Sequence, residues 1–156
     1  KIYSNLVLPA YFLNNTLFPL LSKKKKFNQV LKTGIKLSFL GLVILVPLTH
    51  LTAPKLITLL GGTQFNKSIP VLQILSFSLV FAYINHLTGF SLVAINKQKT
   101  SLKIGVFALL INLGLNLYFI PKLGINAAAW ITVVTEGFTT LVSGFFLYNY
   151  LKKLKN

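Results

Sequence analysis

The chain is 156 residues long, 54% hydrophobic and only 11% charged, with a formal net charge of +15 because 16 basic residues face one acid, Glu136. Soluble domains carry roughly 25% charged residues, so water is not the main solvent of this chain, whose mean hydropathy is +0.71. In a soluble domain such a charge would suggest nucleic acid, but every basic residue is Lys and stands at the end of an apolar interval, which argues against base reading and bidentate phosphate clamps.

The lysines fence five intervals, 2–22, 37–54, 68–96, 104–121 and 123–151, in which Glu136 is the only charge. A bilayer core about 30 Å thick is crossed by about 20 apolar residues in a helix, and each interval is long enough or nearly so. The fold expected is all-α, a polytopic membrane helical bundle of about five transmembrane helices. The first span, 2–21, carries Pro9, Pro19 and the pair Asn14-Asn15 and predicts a broken or kinked helix, tolerated where neighbouring helices re-satisfy the freed carbonyls. A basic loop over 22–36 follows, with Lys23, Lys24, Lys25, Lys26, Lys32 and Lys36. The second span, 35–53, has Pro47 and His50 towards its far end; Pro54, Lys55 and Gly61-Gly62 interrupt it, leaving 56–60 as an interfacial piece or a last helical turn. The third, 68–95, opens with Ser68 ahead of Pro70 in the manner of a cap. The fourth, 102–120, is stopped by Pro121, and the fifth, 125–150, leads into Lys152, Lys153 and Lys155.

Lysine asymmetry orients these spans. The segments 22–36, 96–103 and 152–156 hold twelve of the 16 lysines, and Lys1, Lys55, Lys67 and Lys122 lie on the other side. Short Lys-rich loops stay in the cytoplasm, so the twelve-lysine side and the C-terminus are expected there. Tyr3, Tyr11, Tyr118, Tyr148 and Tyr150 lie towards span ends, as interface aromatics do. The chain starts at Lys1 and contains no Met, so it is expected to be a piece of a longer protein, its C-terminal part.

Chemistry is sparse. Without Cys, and with one carboxylate and two histidines, His50 and His86, no thiolate, ordinary zinc or two-carboxylate site is expected, and no cofactor. Glu136 falls near mid-membrane, where a carboxylate must face protein or water or be protonated. Thr132, Thr139, Thr140 and Ser143 extend a polar stripe around it, read either as a proton, cation or substrate site or as a packing device between helices. Asn112 and Asn116 share a face of the fourth span with Gly105 and Ala108 and read as interhelical glue; these groups are expected to meet the stripe on the fifth span or to face an open groove. Ala108, Ala128 and Ala129 are expected to let helices four and five approach closely. On the third span Ser78, Ala82, Asn85 and Gly89 share a face with His86 beside them, a residue that reads first as packing.

The run from Leu115 to Glu136, L-N-L-Y-F-I-P-K-L-G-I-N-A-A-A-W-I-T-V-V-T-E, resembles a segment of polysaccharide and O-antigen flippases in the multidrug/oligosaccharidyl-lipid/polysaccharide exporter superfamily. The matching positions are Asn112, Asn116, Ile120, Pro121, Gly124, Ala127, Ala128, Thr132 and Glu136; Asn126 departs from the family's second glycine. Gly62, Phe65, Ser68, Val71, Leu72, Ile74 and Leu75 are similar to its glycine- and leucine-rich approach to the next helix, and Phe18, Pro19, Leu20 and Ser22 to its F-P-x-x-S ending.

The resemblance implies the last five helices of the second of two bundles, in a transporter that flips a polyprenyl-diphosphate-linked oligosaccharide across the cytoplasmic membrane by alternating access. Its partners would be that lipid-linked oligosaccharide, membrane lipids and the N-terminal bundle of the same protein, with no nucleic acid and no covalent catalysis. Substrate or coupling-ion candidates are Glu136, Thr132, Asn112, Asn116, Asn85 and His86. The alternatives are a cation-coupled small-molecule exporter of the same superfamily, a membrane-embedded glycan polymerase or ligase, which would need larger loops carrying acids, Arg or His, and a non-transporting scaffold.

Overall fold

The computed structural model describes residues 1–23 and 26–153, so Lys24, Lys25 and Lys155 of the basic segments lie outside the described residues. Five α-helices follow one another: α1 (Ile2–Leu21), α2 (Phe27–Gly61), α3 (Ile69–Ala94), α4 (Gln98–Leu123) and α5 (Ile125–Lys153), with a 3-10 turn, Thr63–Ser68, before α3. The chain is a polytopic helical bundle. Among the described residues, four segments are long and apolar enough to cross a membrane, Phe27–Gly61, Thr63–Ala94, Gln98–Leu123 and Ile125–Lys153. The remaining helix, α1, has 20 residues and dilutes its apolar side chains with Asn5, Asn14, Asn15, Pro9 and Pro19.

Side-chain pairs fix the directions. Tyr3 meets Ser78 and Phe18 meets Phe90, so α1 runs parallel to α3. His50 meets Gln73, and Gly34 meets Leu87, so α2 is antiparallel to both. Asn85 meets Glu136 and Thr88 meets Ser143, so α5 runs parallel to α3, while Phe107 meets Phe138 and Asn112 meets Thr135, so α4 is antiparallel to α5. The direction alternates from helix to helix, as the lysine pattern requires. In this arrangement α3 is central, with α5 on one side and α2 and α1 on the other, while α4 packs on α5 and only lightly on α3.

Three apolar clusters stack along the axis: Ala53, Ile57 and Leu72 at one end, Ala10, Leu42, Leu79 and Tyr83 in the middle, and Leu17, Leu21, Phe27, Leu87, Leu92 and Leu147 among others at the lysine-rich end. Apolar side chains also cover the outside: Leu59 is 83% exposed, Leu51 76% and Leu141 74%. In hydrocarbon such a surface is at no disadvantage; in water it would be a large sticky patch.

Several boundaries differ from those read off the sequence, each for a packing reason. The segment 22–36 is helical from Phe27 on, because Phe27, Val30, Leu31 and Gly34 form a buried face while Lys32 and Lys36 point outward. The second span therefore grows from 35–53 to 35 residues, about 52 Å at about 1.5 Å per residue, well beyond a hydrocarbon core of about 30 Å. Pro54 does not end it. The carbonyl of His50, which Pro54 cannot bond, accepts a hydrogen bond from Gln73 Nε2 on α3 at 3.3 Å, so the neighbour supplies the missing donor. Residues 56–60 are thus the last turns of α2. Likewise α1 is one unbroken helix through Pro9 and Pro19. Helix α4 is not stopped at Pro121 but continues to Leu123, closed by the Gly124 N–H donating to Ile120 O at 2.9 Å with Gly124 at φ +71°. Ser68 does occupy the N-cap of α3, without a capping side-chain bond.

At Gly34 of α2, side chains of both α1 and α3 press against the helix. A Cβ there would lie 2.9 Å from Leu87 Cδ1 and 3.0 Å from Leu17 Cδ1, whereas one at Gly41 would meet nothing within 4 Å. Gly34→Leu is expected to destabilise the folded protein by about 1–3 kcal/mol, and Gly41→Ala by less than about 0.5 kcal/mol. Thermal unfolding in one detergent, followed by circular dichroism, checks both.

Candidate functional site

The polar groups that the sequence strings along separate spans converge on the α3–α5 contact. Asn85, in the third quarter of α3, donates through Nδ2 to the backbone carbonyl of Glu136 at 2.9 Å and also to Glu136 Oε2. Its Oδ1 accepts from Thr140 Oγ1 at 2.8 Å, and the same hydroxyl lies 2.9 Å from Glu136 O. One turn further along, Thr88 and Ser143 hydroxyls pair at 2.9 Å. Both faces of the Asn85 amide are thereby used. An amide in hydrocarbon has no water to fall back on, so this pairing aligns α3 with α5 in register.

The stripe expected around Glu136 divides between two neighbours. Thr140 and Ser143 turn towards α3, whereas Thr135, which lies outside the anticipated stripe, turns towards α4 and accepts from Asn112 Nδ2 at 3.0 Å. Asn112 Oδ1 in turn accepts from Asn116 Nδ2 at 2.7 Å, so the pair acts as a unit, with Asn112 making the interhelical contact. Thr132 is not part of this junction: its hydroxyl bonds the carbonyl of Ala128 on its own helix at 2.9 Å. Nothing in the spacing singles out Thr135, one residue before Glu136; its burial where α5 faces α4 comes from the packing.

A groove lies beside this knot. A cavity of about 370 Å³ is lined by Tyr3 and Val7 of α1, Ala82, Asn85 and His86 of α3, Gly105 and Ala108 of α4, and Glu136 and Thr139 of α5. A smaller one of about 180 Å³ shares Ala108, Glu136 and Thr139 and reaches Asn112 and Thr135. A third, of about 380 Å³, shares Asn85 and His86 and leads past Gly89, Phe90, Val93 and Phe18 to Ser101. The shared residues string the three into one groove, floored by α3 and α5 and walled by α1 and α4. Glu136 stands in its middle, half-buried, able to present its carboxyl to whatever enters.

Ala108 and Gly105 line the groove, and a Cβ at Gly105 would meet nothing within 4 Å; on α5 Ala127 and Ala129 are buried and Ala128 is half-buried. His86 sits on the groove wall with its ring edge-on to Tyr11 at 6.5 Å between centroids. His50 is elsewhere, on the α2–α3 contact, its Nδ1 3.3 Å from both Gln73 O and Ser76 Oγ. Of the six candidates, then, Asn85, Glu136, Asn112 and His86 line the groove; Asn116 supports Asn112, and Thr132 stands apart.

Comparison with known proteins supplies the family. A family model described as MatE matches residues 22–118. The chain belongs to the MatE family. This family falls in the multidrug/oligosaccharidyl-lipid/polysaccharide exporter superfamily that the sequence resembles. The MatE chain is also 31% identical, over 97% of its length, to an uncharacterised membrane protein of Methanocaldococcus jannaschii, of which the match covers 32%. The chain thus spans about a third of the length of that relative. No solved structure matches it.

Proposed function

We propose that this MatE chain is the C-terminal part of the second bundle of a membrane transporter that flips a lipid-linked oligosaccharide, a polyprenyl-diphosphate glycan, across the cytoplasmic membrane by alternating access. The observation that carries the reading is the groove, with polar groups at Asn85, Glu136 and Thr139 on its floor and Asn112 on the α4 wall, beside apolar wall residues Val7, Leu109 and Phe18. An amphiphilic cargo needs both: a hydrated head moves along polar groups while its lipid chain stays in hydrocarbon. Because α1 and α4 form no packed pair, the groove is open along one side, where a second bundle would complete it.

In this reading Glu136 contacts the head group or a coupling proton, and Asn85 holds its carboxyl in place. Asn112 adds a donor–acceptor pair further along. The residues act by binding and orientation, and no covalent step is required. The family membership equally accommodates a cation-coupled exporter of small molecules, which the assay below separates from a flippase.

The full-length protein in proteoliposomes is expected to move a fluorescent polyprenyl-diphosphate oligosaccharide above the protein-free rate and to leave cationic dyes untransported. Glu136→Gln keeps the shape and removes the charge; it is expected to slow flipping at least about tenfold, the equivalent of about 1.4 kcal/mol, with the amount of folded protein unchanged. Normal transport by Glu136→Gln at every pH would leave Glu136 a packing residue. Dye export without glycan flipping would favour the exporter.

Orientation follows from the lysines, with the ends of α1, α3 and α5 in the cytoplasm. The Cys-free background of the chain permits single-cysteine labelling. A membrane-impermeant thiol reagent added outside is expected to label Lys67→Cys and to spare Lys99→Cys; the opposite pattern inverts the topology.

A further inference from the structure

The groove reaches the lysine-rich end of the bundle but stops short of the other. From Val93 and Ser101, beside the α3–α4 turn, it runs past Gly89 and Asn85 to Ala82 along one face of α3. Ser78 is the next residue on that face and Leu75 the one after, since positions three or four apart stack on one side of a helix. Leu75 belongs to a different cavity. This one, of about 490 Å³, lies between the start of α1, the end of α2 and the start of α3, and is lined by Ile2, Ile57, Leu60, Phe65, Leu72 and Leu75 among others. Among the described residues, Tyr3 alone lines both this cavity and the 370 Å³ cavity that holds Glu136.

At Ser78 the first turn of α1 meets α3. The Tyr3 hydroxyl lies 2.8 Å from Ser78 Oγ, which is also 2.8 Å from the Leu75 carbonyl. Ser78 is fully buried at this point, while Tyr3 is half-buried at the edge of the middle apolar cluster. We propose that Tyr3 is the gate at the outer end of the groove, by the orientation given above. Laid against Ser78, it separates the Glu136 cavity from the 490 Å³ cavity; swung aside, it joins the two into one passage along α3. The contact suits a gate. It is a single hydrogen bond between two neutral hydroxyls, which water entering either cavity can replace, and the ring moves by a change between staggered rotamers. No helix has to shift. The Tyr83 hydroxyl, from a side chain only 4% exposed, donates to Leu6 O at 3.0 Å and so holds α1 in place while Tyr3 turns.

The inference rests on the groove being a passage, as the proposed function has it, but its test reads access instead of transport. A membrane-impermeant thiol reagent is added outside to the full-length protein, otherwise free of cysteine, in sealed membranes. Leu75→Cys, in the 490 Å³ cavity, is expected to react readily, and Val7→Cys, in the groove one turn behind Tyr3, slowly. Adding Tyr3→Ala should speed the labelling of Val7→Cys at least about tenfold, the equivalent of about 1.4 kcal/mol, and leave that of Leu75→Cys unchanged. Ser78→Ala, which removes only the partner hydroxyl, should speed it by a smaller factor. Should Tyr3→Ala fail to fold, Ser78→Ala and Tyr3→Phe give the same reading. Val7→Cys labelling that is as fast as that of Leu75→Cys with Tyr3 in place, or that Tyr3→Ala leaves unchanged, overturns the gate. Equal acceleration at both positions also overturns it, since that marks a loosened α1. If the expected pattern appears and no glycan is flipped, the gate stands and the proposed cargo is wrong.

Discussion

A polar side chain placed in hydrocarbon has to find its partner on another helix, and in this chain the amide of Asn85 does so twice. Its nitrogen donates to the backbone and carboxyl of Glu136, and its oxygen accepts from Thr140, so one residue of α3 binds two consecutive turns of α5. Individual bonds of this kind contribute only about 0.6 kcal/mol on average within membranes. Their effect here is on register more than on stability. A shift of α5 along α3 would break all of them at once, together with the Thr88–Ser143 pair.

The rest of the arrangement follows from that fixed pair. With α3 and α5 in register, Thr135 is turned to α4 and meets Asn112, which holds α4 against α5 and away from α1. On the far side of α3, Tyr3 and Tyr83 tie α1 down: Ser78 donates to the Tyr3 hydroxyl at 2.8 Å, and the Tyr83 hydroxyl donates to Leu6 O at 3.0 Å. The gap left between α1 and α4 is the groove. Its polar floor is the outer edge of the same hydrogen-bond network, so the group that aligns the helices is also the group that a passing head would meet.

Much of this was legible in the residues themselves. Lysine spacing gave the number and alternation of the helices, since a charge is too costly to leave inside the apolar core. Glu136 and the asparagines stood out because the chain has so few polar groups in its spans. What the spacing could not reveal was pairing between distant helices. Thr132 and Thr135 are equally polar and three residues apart, and only the direction of the α4 contact decides that Thr135 is the one engaged. The ends of α2 were misplaced for a related reason: lysines mark where hydrocarbon stops, whereas the helix persists as far as Phe27, Val30 and Leu31 have something to pack on. Pro54 reads as an interruption until the Gln73 side chain on another helix supplies the donor that proline lacks.

The central claim is that α3 and α5 are locked together while α1 and α4 are held apart across a groove. Disulfide trapping in a full-length protein otherwise free of cysteine tests it most directly. The side-chain oxygens of Thr88 and Ser143 are 2.9 Å apart, so Thr88→Cys with Ser143→Cys is expected to cross-link rapidly under mild oxidation. Val7→Cys with Gly105→Cys, on opposite walls of the groove, is expected to stay reduced under the same conditions. Rapid closure of the second pair, with none in the first, would contradict the account.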